Sequence, residues 1–234
     1  MKHSIFTFVV LTLVLAITAC QPAQKSENKI YTPEKTMPME LNNFETINLL
    51  LPVTTGGDAL MATMQNRKTD REFLETNLSH KHLSEILWAA NGVNRAENGK
   101  RTVPSAMAMY PLDTYAVLAN GIYLYDPQKH ELNPVIEGDY RELAGLQPFV
   151  KNAPLNLVFI ANYNRYNGDR KIPEDKRLYL AALDAGHCTQ NVYLYCASEG
   201  LKTVVRAGAQ EKALLELLGL DENYQFVVAQ TVGY

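Results

Sequence analysis

The sequence predicts a folded domain of the α+β class. Segments with the apolar spacing of helices are interleaved with strand candidates along residues 41–234. Two of the strand candidates alternate on either side of Asn120-Gly121, a dipeptide that is typical of a tight hairpin. The chain has 234 residues and 47% hydrophobic content, which suits one large domain or at most two. Its net charge of −3 argues against nucleic acid as a partner.

The first 19 residues have the pattern of a bacterial signal peptide. Lys2 and His3 precede an apolar run at residues 5–17, which is too short to span a bilayer comfortably. The run leads into AITAC, which resembles a lipobox and implies cleavage before Cys20 and a lipid on its sulfur. An ordinary secretory signal with an incidental cysteine is the alternative. We expect a lipoprotein of the bacterial envelope, anchored at Cys20 and facing the periplasm or the cell exterior.

A tether and the folded domain follow the signal peptide. Residues 20–40 contain the lipidated cysteine and a polar, flexible stretch with three prolines, and residues 41–234 form the domain. Cys188 and Cys196 are on one predicted helix, about 12 Å apart by its rise, which is too far for a disulfide. We expect both to be buried as small apolar side chains, and the histidine spacing does not indicate a metal site.

Two helices open the domain. A short helix over residues 60–64 ends at residues 66–73. A second helix begins after Ser79 and stops at Gly92. Residues 93–102 are predicted to be a polar loop. The apolar positions that give the second helix its spacing are Leu83, Ile86, Leu87 and Ala90.

The middle of the domain contains the hairpin and a central strand. Alternation predicts strands at residues 114–118 and 122–125, and an apolar run predicts a central strand at residues 155–161. Residues 140–149 are predicted to form a short helix. Residues 162–176 are predicted to be a long polar loop, either a lid or a solvated connection.

The last part of the domain begins with the longest predicted helix, residues 178–198, which ends at Gly200. Its many small residues place this helix inside the domain or at a subunit contact. A strand at residues 202–206, a helix at residues 210–218 and a final strand at residues 225–232 complete the domain.

A cluster of cations follows the first helix. Residues 66–73 read NRKTDREF, in which Arg67, Lys68 and Arg71 supply charge and Thr69 supplies a hydroxyl. Such side chains donate charge-assisted hydrogen bonds to anionic oxygens, so the cluster can hold a phosphate. It can equally be a solvated turn, because most charge runs lie on the surface.

A second candidate segment, residues 101–112, reads RTVPSAMAMYPL. Two prolines bracket small and flexible side chains, which lets backbone amides approach a flat ligand while methionine adapts to an aromatic surface. A buried connection explains the same pattern equally well. The sequence pattern alone leaves both interpretations open.

Four segments in this order resemble the FMN-dependent nitroreductase family, over nearly the whole folded domain. The family patterns are R-R-S-x-R-x-F, then L-x-x-I-L-W-A-A-x-G, then R-T-x-P-S-A-G-A-x-Y-P-L, and finally D-A-G-x-x-x-Q-N-x-Y-L followed by G-L-G-T. They match residues 66–73, 83–92, 101–112 and 184–201. The branch that the chain resembles includes the peptide azoline dehydrogenases.

The resemblance implies a central, mainly antiparallel sheet flanked by helices, and a homodimer with FMN at the subunit boundary. The residues expected to bind the ribityl phosphate and pyrimidine edge of FMN are Arg67, Lys68, Thr69 and Arg71. Those expected to lie against the flavin from the partner subunit are Pro104, Ser105, Ala106 and Met107. The amides of Ala207 and Gly208 are expected near N5 and O4 of the flavin, where donors stabilise negative charge on the reduced ring.

Several departures from the family pattern concern this site. Lys68 and Thr69 replace the commoner arginine and serine, and both keep donor chemistry. Met107 and Lys202 stand where the family pattern has glycine, and the C-terminal basic pair that completes the phosphate site in many members has no counterpart. Arg206 is expected to compensate for that pair. The small-residue helix around Gly186 is the expected dimer contact.

The function that the resemblance implies is FMN-dependent electron transfer to or from a small organic substrate outside the cytoplasm, in a ping-pong cycle. No side chain is expected to act as acid or base, because the flavin carries the chemistry. Tyr110 is expected either to shape substrate access or to be a core aromatic. The alternative is a lipid-anchored binding or assembly protein that keeps the fold without turnover, which Met107 and the missing basic pair favour.

Overall fold

Residues 36–167 and 171–234, which the computed structural model describes, contain nine strands and four α-helices. The strands are β1 (Ile47–Asn48), β2 (Val93–Arg95), β3 (Lys100–Arg101), β4 (Leu112–Leu118), β5 (Gly121–Asp126), β6 (Glu131–Glu137), β7 (Leu155–Asn162), β8 (Lys202–Arg206) and β9 (Tyr224–Gly233). The helices are α1 (Leu60–Asn66), α2 (His80–Asn91), α3 (Glu174–Glu199) and α4 (Glu211–Leu217). The predictions for the signal peptide, for Cys20 and for the tether as far as residue 35 lie outside the described residues.

Seven of the strands form one antiparallel sheet in the order β1-β6-β5-β4-β7-β9-β8. The predicted hairpin is confirmed, because β4 and β5 pair with Leu118 opposite Gly121. The predicted central strand is also confirmed: β7 pairs with β4 on one side and with β9 on the other, and its residues 155–161 are buried. The sheet and its flanking helices confirm the predicted α+β class.

Each face of the sheet has its own apolar core. Side chains alternate along a strand, so Leu157 and Phe159 of β7 join the core beneath α2 and α3. Val158 and Ile160 of the same strand point the other way, into the core beneath α4. The sheet therefore separates two layers, and a side chain on one face cannot reach a ligand bound on the other.

Local signals determine where α2 and α3 end. The hydroxyl of Ser79 accepts a hydrogen bond from the His82 amide at 3.1 Å and caps α2, and Gly92 follows its last residue. Gly200 follows α3 in the left-handed conformation, with φ of 70°, which glycine adopts without strain. Both predicted stops are confirmed, but α3 begins at Glu174, earlier than the sequence predicted.

α3 packs against α2 and against one face of the sheet. Its small residues Ala181 and Ala185 are buried there, and Cys188 and Cys196 are buried free thiols, as predicted. No helix among the described residues is both long enough and apolar enough to cross a membrane.

Two predictions of local structure were wrong. Residues 93–102 contain the hairpin of β2 and β3 rather than a loop. Residues 140–149 contain parts of two 3-10 helices, Arg141–Ala144 and Pro148–Lys151, rather than one α-helix. Gly145 is extended between them, and a methyl group there would lie 1.8 Å from Nη1 of Arg206. The helical conformation is interrupted at Gly145, where the absence of a side chain leaves room for Arg206 of β8.

Strands β1 and β6 were not predicted from the sequence. β6 contains Pro134, which cannot donate a ladder hydrogen bond and argues against a strand in the sequence. The proline is tolerated because the register with β5 shifts beside it, between the pairs Ile122–Ile136 and Tyr123–Pro134. The predicted loop at residues 162–176 contains the 3-10 helix Tyr163–Tyr166, and its residues 168–170 are outside the described residues.

Candidate functional site

A cavity of about 590 Å³ lies between the end of α1 and the C-terminal half of α3. Its lining residues include Asn66, Arg67, Lys68, Asp70, Tyr193, Gly200, Lys202 and Thr203. Three of these residues are cationic and one is acidic, so the wall has an excess of positive charge. Such a wall suits an anionic ligand.

The segment after α1 is fixed against α3 and β8. The amide of Asp70 donates to the carbonyl oxygen of Thr203 at 3.1 Å. The hydroxyl oxygens of Thr69 and Tyr193 lie 3.0 Å apart. The guanidinium carbon of Arg67 lies 5.3 Å from the centre of the Tyr193 ring, within the range of a cation–π contact. Arg67 and Thr69 therefore have defined contacts with α3, although Thr69 is exposed.

Tyr193 organises this segment, although no role was predicted for it from the sequence. Besides its contact with Thr69, the Tyr193 hydroxyl accepts a hydrogen bond from the amide of Val205 at 3.1 Å. One buried side chain thus ties the cation segment to α3 and to β8. Its only signal in the sequence was its place in the fourth family pattern.

The other cations near the cavity differ in their surroundings. The Lys68 ammonium lies 3.4 Å from the Asp70 carboxylate, and its side chain is 73% exposed, so this ion pair contributes little to stability. Arg71 is exposed and is not one of the residues that line the cavity. Lys202 is half-buried and does line it. The sequence signal for Lys202 was a cation at a position where the family pattern has glycine.

Arg206 does not take part in this cavity, which corrects the expectation that it supplies a missing phosphate donor. Its side chain points to the opposite face of the sheet from α3. There it donates hydrogen bonds to the Ala144 carbonyl at 2.6 Å, to Asn156 Oδ1 at 3.1 Å and to Thr231 Oγ1 at 2.6 Å. Burial lowers the pKa of Arg206 to about 10. Alternation along β8 decides this outcome, since neighbouring Val205 and Thr203 face α3 instead.

Ala207 and Gly208 form the turn between β8 and α4, as predicted. Thr203, at the cavity, and Ala207 are four residues apart along this strand, which corresponds to about 13 Å. A single ligand that contacts both the cavity and the turn must therefore be elongated.

The segment at residues 105–110 has an unusual backbone. Met107, Ala108 and Tyr110 have φ angles of 52°, 55° and 46°, in the left-handed region that non-glycine residues rarely adopt. Met107 therefore keeps a conformation that glycine adopts freely, which explains why the family pattern has glycine there. Its side chain is 48% exposed, and Pro104 is exposed as well.

The Ser105 hydroxyl, at the start of this segment, accepts a hydrogen bond from the Tyr110 amide at 2.9 Å. Asp184 of α3 is buried, and this burial raises the pKa of its carboxyl group. Interactions with Ser105 and Ala106 oppose part of the rise in that pKa. Tyr110, at the other end, is half-buried beneath Arg101, whose guanidinium carbon lies 4.6 Å from the centre of the tyrosine ring.

Within one chain, the two segments are not brought into one cavity. Asp184 and Tyr193, which interact with one segment each, are nine residues apart on α3, or about 13 Å along its axis. The resemblance assigned the two segments to the flavin sites of different subunits. Among the residues that the structure describes, no three His, Cys, Asp or Glu side chains are grouped closely enough to bind a metal ion.

Comparison with known proteins gives one consistent family. The family model described as "Nitroreductase family" matches residues 64–234. A putative nitroreductase of Methanocaldococcus jannaschii is 34% identical over 197 residues, which are 80% of this chain and 92% of that protein. The crystal structure of a putative nitroreductase from Ralstonia eutropha JMP134 is 40% identical, with a TM-score of 0.76 over 87% of this chain and 97% of that one.

A more distant structural match is the NADPH:FMN oxidoreductase of Vibrio harveyi, which was solved in complex with NAD+. It is 20% identical, with a TM-score of 0.55 over 75% of this chain and 68% of that one. At this level of identity the match shows a shared fold and nothing finer.

Proposed function

Because the chain belongs to the nitroreductase family, and is therefore a flavin-dependent oxidoreductase in general terms, we propose that its cofactor is FMN. FMN, when bound, supplies the hydride and electron chemistry. The electron donor and the second substrate, a small organic molecule, occupy the same pocket in turn, which is a ping-pong cycle. The protein's part is to bind and orient the cofactor and to shape the pocket, and Tyr110 contributes to substrate access.

The cavity beside Tyr193 is the observation that carries this proposal. Arg67 and Lys68 provide cationic donors in its lining, which has an excess of positive charge. Thr69 is not in the lining, but its hydroxyl lies 3.0 Å from that of Tyr193, which is. These are the donors that a phosphate monoester requires. The family positions of Arg67, Lys68, Thr69 and Arg71 assign these residues together to the ribityl phosphate and the pyrimidine edge of FMN.

We assign the flavin ring to a site that two subunits share. Pro104, Ser105, Ala106 and Met107 contribute from the partner, and Ala207 and Gly208 contribute the turn near N5 and O4. The open face of α3 supports a homodimer: Tyr179 and Leu183 are 62% and 45% exposed, and a methyl group at Gly186 would meet no atom within 4 Å. A dimeric mass by light scattering, corrected for bound detergent, is the expected result; a monomeric mass would refute the shared site.

The predicted anchor at Cys20 places the reaction outside the cytoplasm, where NAD(P)H is not expected. A reduced organic substrate, or a membrane quinol pool, is therefore the electron donor that fits this location. The signal contains no twin-arginine motif, so the chain is exported unfolded and acquires FMN afterwards. The resemblance to the azoline dehydrogenase branch favours the oxidation of a substrate over its reduction.

A comparison of FMN with riboflavin, which lacks the phosphate, tests the cofactor and its orientation together. The full-length chain is purified in detergent and titrated with each flavin, and the quenching of flavin fluorescence is measured. We expect FMN to bind at least about tenfold more tightly than riboflavin, because the cations of the cavity act on the phosphate. Equal affinities would place the phosphate elsewhere, and no binding of either flavin would refute the proposal.

One structural observation favours the alternative function, a binding or assembly protein without turnover. Met107 projects a flexible side chain from the position where the family pattern has glycine. Anaerobic photoreduction of the FMN-loaded chain, followed by a screen of quinones and small organic acceptors, separates the two functions. Reoxidation that is faster than that of free flavin supports an enzyme; no acceleration by any acceptor supports the alternative.

A further inference from the structure

Arg101 is a half-buried cation beside the bend at residues 105–110, and the proposed function gives it no role. Its guanidinium carbon lies 4.6 Å from the centre of the Tyr110 ring. Its Nε atom is buried and has no hydrogen-bond partner among the described residues. A buried donor without an acceptor is costly, so an atom of this kind in a folded protein requires an explanation.

Other arginines with little exposure use their donors within the protein. Arg141 pairs with the Asp139 carboxylate and donates to the Ala153 carbonyl at 3.1 Å. Arg206 donates to a carbonyl and to two side-chain oxygens. Arg101, in contrast, forms no ion pair and donates no side-chain hydrogen bond to any residue that the structure describes. A role as a strut between parts of the fold therefore does not account for its charge.

Tyr110 joins Arg101 to a second arginine. Nη1 of Arg165 donates to the Tyr110 carbonyl at 2.9 Å, and its other terminal nitrogen pairs with Asp113. Burial lowers the pKa of Arg101, and the positive charge of Arg165 lowers it further. One carboxylate thus serves two guanidinium groups, which leaves one net positive charge beside Tyr110. A single carboxylate from a ligand would balance that charge.

The same arrangement occurs at the proposed phosphate site. Arg67 is also half-buried, and its guanidinium carbon lies 5.3 Å from the centre of the Tyr193 ring. A tyrosine face holds a guanidinium in a fixed orientation and leaves its planar fork of N–H donors free for an anion. Arg67 and Arg101 are therefore presented in the same way, one in the cavity and the other beside the bend.

We propose that Arg101 binds a carboxylate of the second substrate, which is therefore a small organic acid. This proposal rests on the proposed function, in which the bend lies against the flavin and Tyr110 contributes to substrate access. A guanidinium binds a carboxylate through two parallel hydrogen bonds, which set its orientation as well as its affinity. Because Arg101 is only half-buried, a ligand can approach it from solvent.

Benzoate and benzamide test the site, because they differ in charge and hardly in shape. The full-length chain is purified in detergent, and each compound is titrated by calorimetry, with and without FMN. We expect benzoate to bind at least about tenfold more tightly than benzamide to the unsubstituted chain. Equal affinities, or no binding of benzoate, would overturn the proposal.

Two substitutions on β3 assign the preference to one residue. R101M removes the charge and keeps a long side chain that can pack on Tyr110. K100M is the matched control, since Lys100 is the neighbouring cation and is exposed. We expect the ratio of the two affinities to fall to about one in R101M and to stay unchanged in K100M. A ratio that R101M leaves unchanged, or that both variants lower equally, would contradict the role of Arg101.

R101K replaces R101M if that variant does not fold. Lysine keeps the charge but cannot form the two parallel hydrogen bonds, so the ratio should still fall at least about threefold. An unchanged ratio in R101K would then overturn the proposal.

The visible absorption of bound FMN tests whether this carboxylate site belongs to the substrate. Benzoate that binds beside the flavin changes the polarity around the ring. We therefore expect it to shift the flavin absorption in the unsubstituted chain and in K100M, and not in R101M. Benzoate binding with an unchanged absorption would place the site away from the flavin and overturn its assignment to the substrate.

The titrations with and without FMN also separate this inference from the proposed function. If the unsubstituted chain binds no FMN, the proposed function fails and the assignment to the substrate fails with it, whereas calorimetry without FMN still decides whether Arg101 binds carboxylates. If the chain binds FMN and does not prefer benzoate, the proposed function stands and this inference is wrong.

Discussion

The cation segment after α1 and the bend at residues 105–110 are the two halves of the proposed cofactor site, and the protein holds them in opposite ways. None of residues 66–73 has a positive φ, and the segment contributes charge through side chains packed on Tyr193. The bend has no charged side chain, and it contributes shape through a strained main chain whose two ends are joined by the hydrogen bond from the Tyr110 amide to the Ser105 hydroxyl.

Substitutions in the two halves should therefore have different effects on FMN binding. The donors of the cation segment act separately on the ligand, so the loss of one donor should weaken only the binding of the FMN phosphate. The bend depends on a connected network, so the loss of one member should change the whole conformation. The following substitutions test that contrast.

The largest effect is expected from R67A. Loss of a charge-assisted hydrogen bond should weaken FMN binding by about tenfold to hundredfold, while riboflavin affinity changes little because it lacks the phosphate. Both affinities are measured by fluorescence titration. K212A is the control, since Lys212 is an exposed cation on α4, on the other side of the sheet. If R67A lowered the affinities for FMN and riboflavin equally, Arg67 would act by shaping the cavity rather than by attracting the phosphate.

The next effect concerns the residue that supports the cation segment. Y193F removes the hydroxyl that meets Thr69 and the Val205 amide, and should lower the free energy of unfolding by about 1 kcal/mol. FMN affinity should fall as well, by less than in R67A. Y179F removes an exposed hydroxyl from the same helix and should change neither quantity. Urea denaturation gives the free energies, and equal stability of the two variants would contradict the role of Tyr193.

The strain in the bend predicts a substitution that stabilises. M107G should raise the free energy of unfolding by about 1 kcal/mol, because glycine adopts φ of 52° without a steric clash. M64G, at an exposed position in α1, should lower the free energy of unfolding by about 1 kcal/mol, because glycine has a low helix propensity. Opposite signs for two Met-to-Gly substitutions would identify the strain, and the same sign in both would argue against it.

The smallest expected effect is a dependence of stability on pH. Burial raises the pKa of Asp184 in the folded state above its ordinary value of 3.8, so the folded state binds a proton more tightly than the unfolded chain does. The contribution of Asp184 to stability is therefore greatest below pH 3.8 and falls as the pH rises through the raised pKa. D184N, which does not titrate, should lack this fall. Parallel pH profiles of the two chains would contradict the raised pKa.

Much of the fold follows from local patterns. The hairpin at Asn120-Gly121, the ends of α2 and α3 and the buried β7 were predicted because turn residues, caps and apolar alternation act within a few residues of the chain. The cation cluster was found for the same reason, since its charges are adjacent in sequence. β6 was missed because Pro134 argues against a strand unless its partner strand shifts register.

The sequence by itself determined the class of fold, the family and the two segments that the cofactor site requires, because these depend on the order and spacing of neighbouring residues. Only the tertiary structure decided which side chains meet. It turned Arg206 to the face opposite α3 and brought Thr69 to Tyr193 across 124 residues. The physical reason is that these contacts depend on strand alternation, sheet order and helix packing, which bring together residues far apart in the chain.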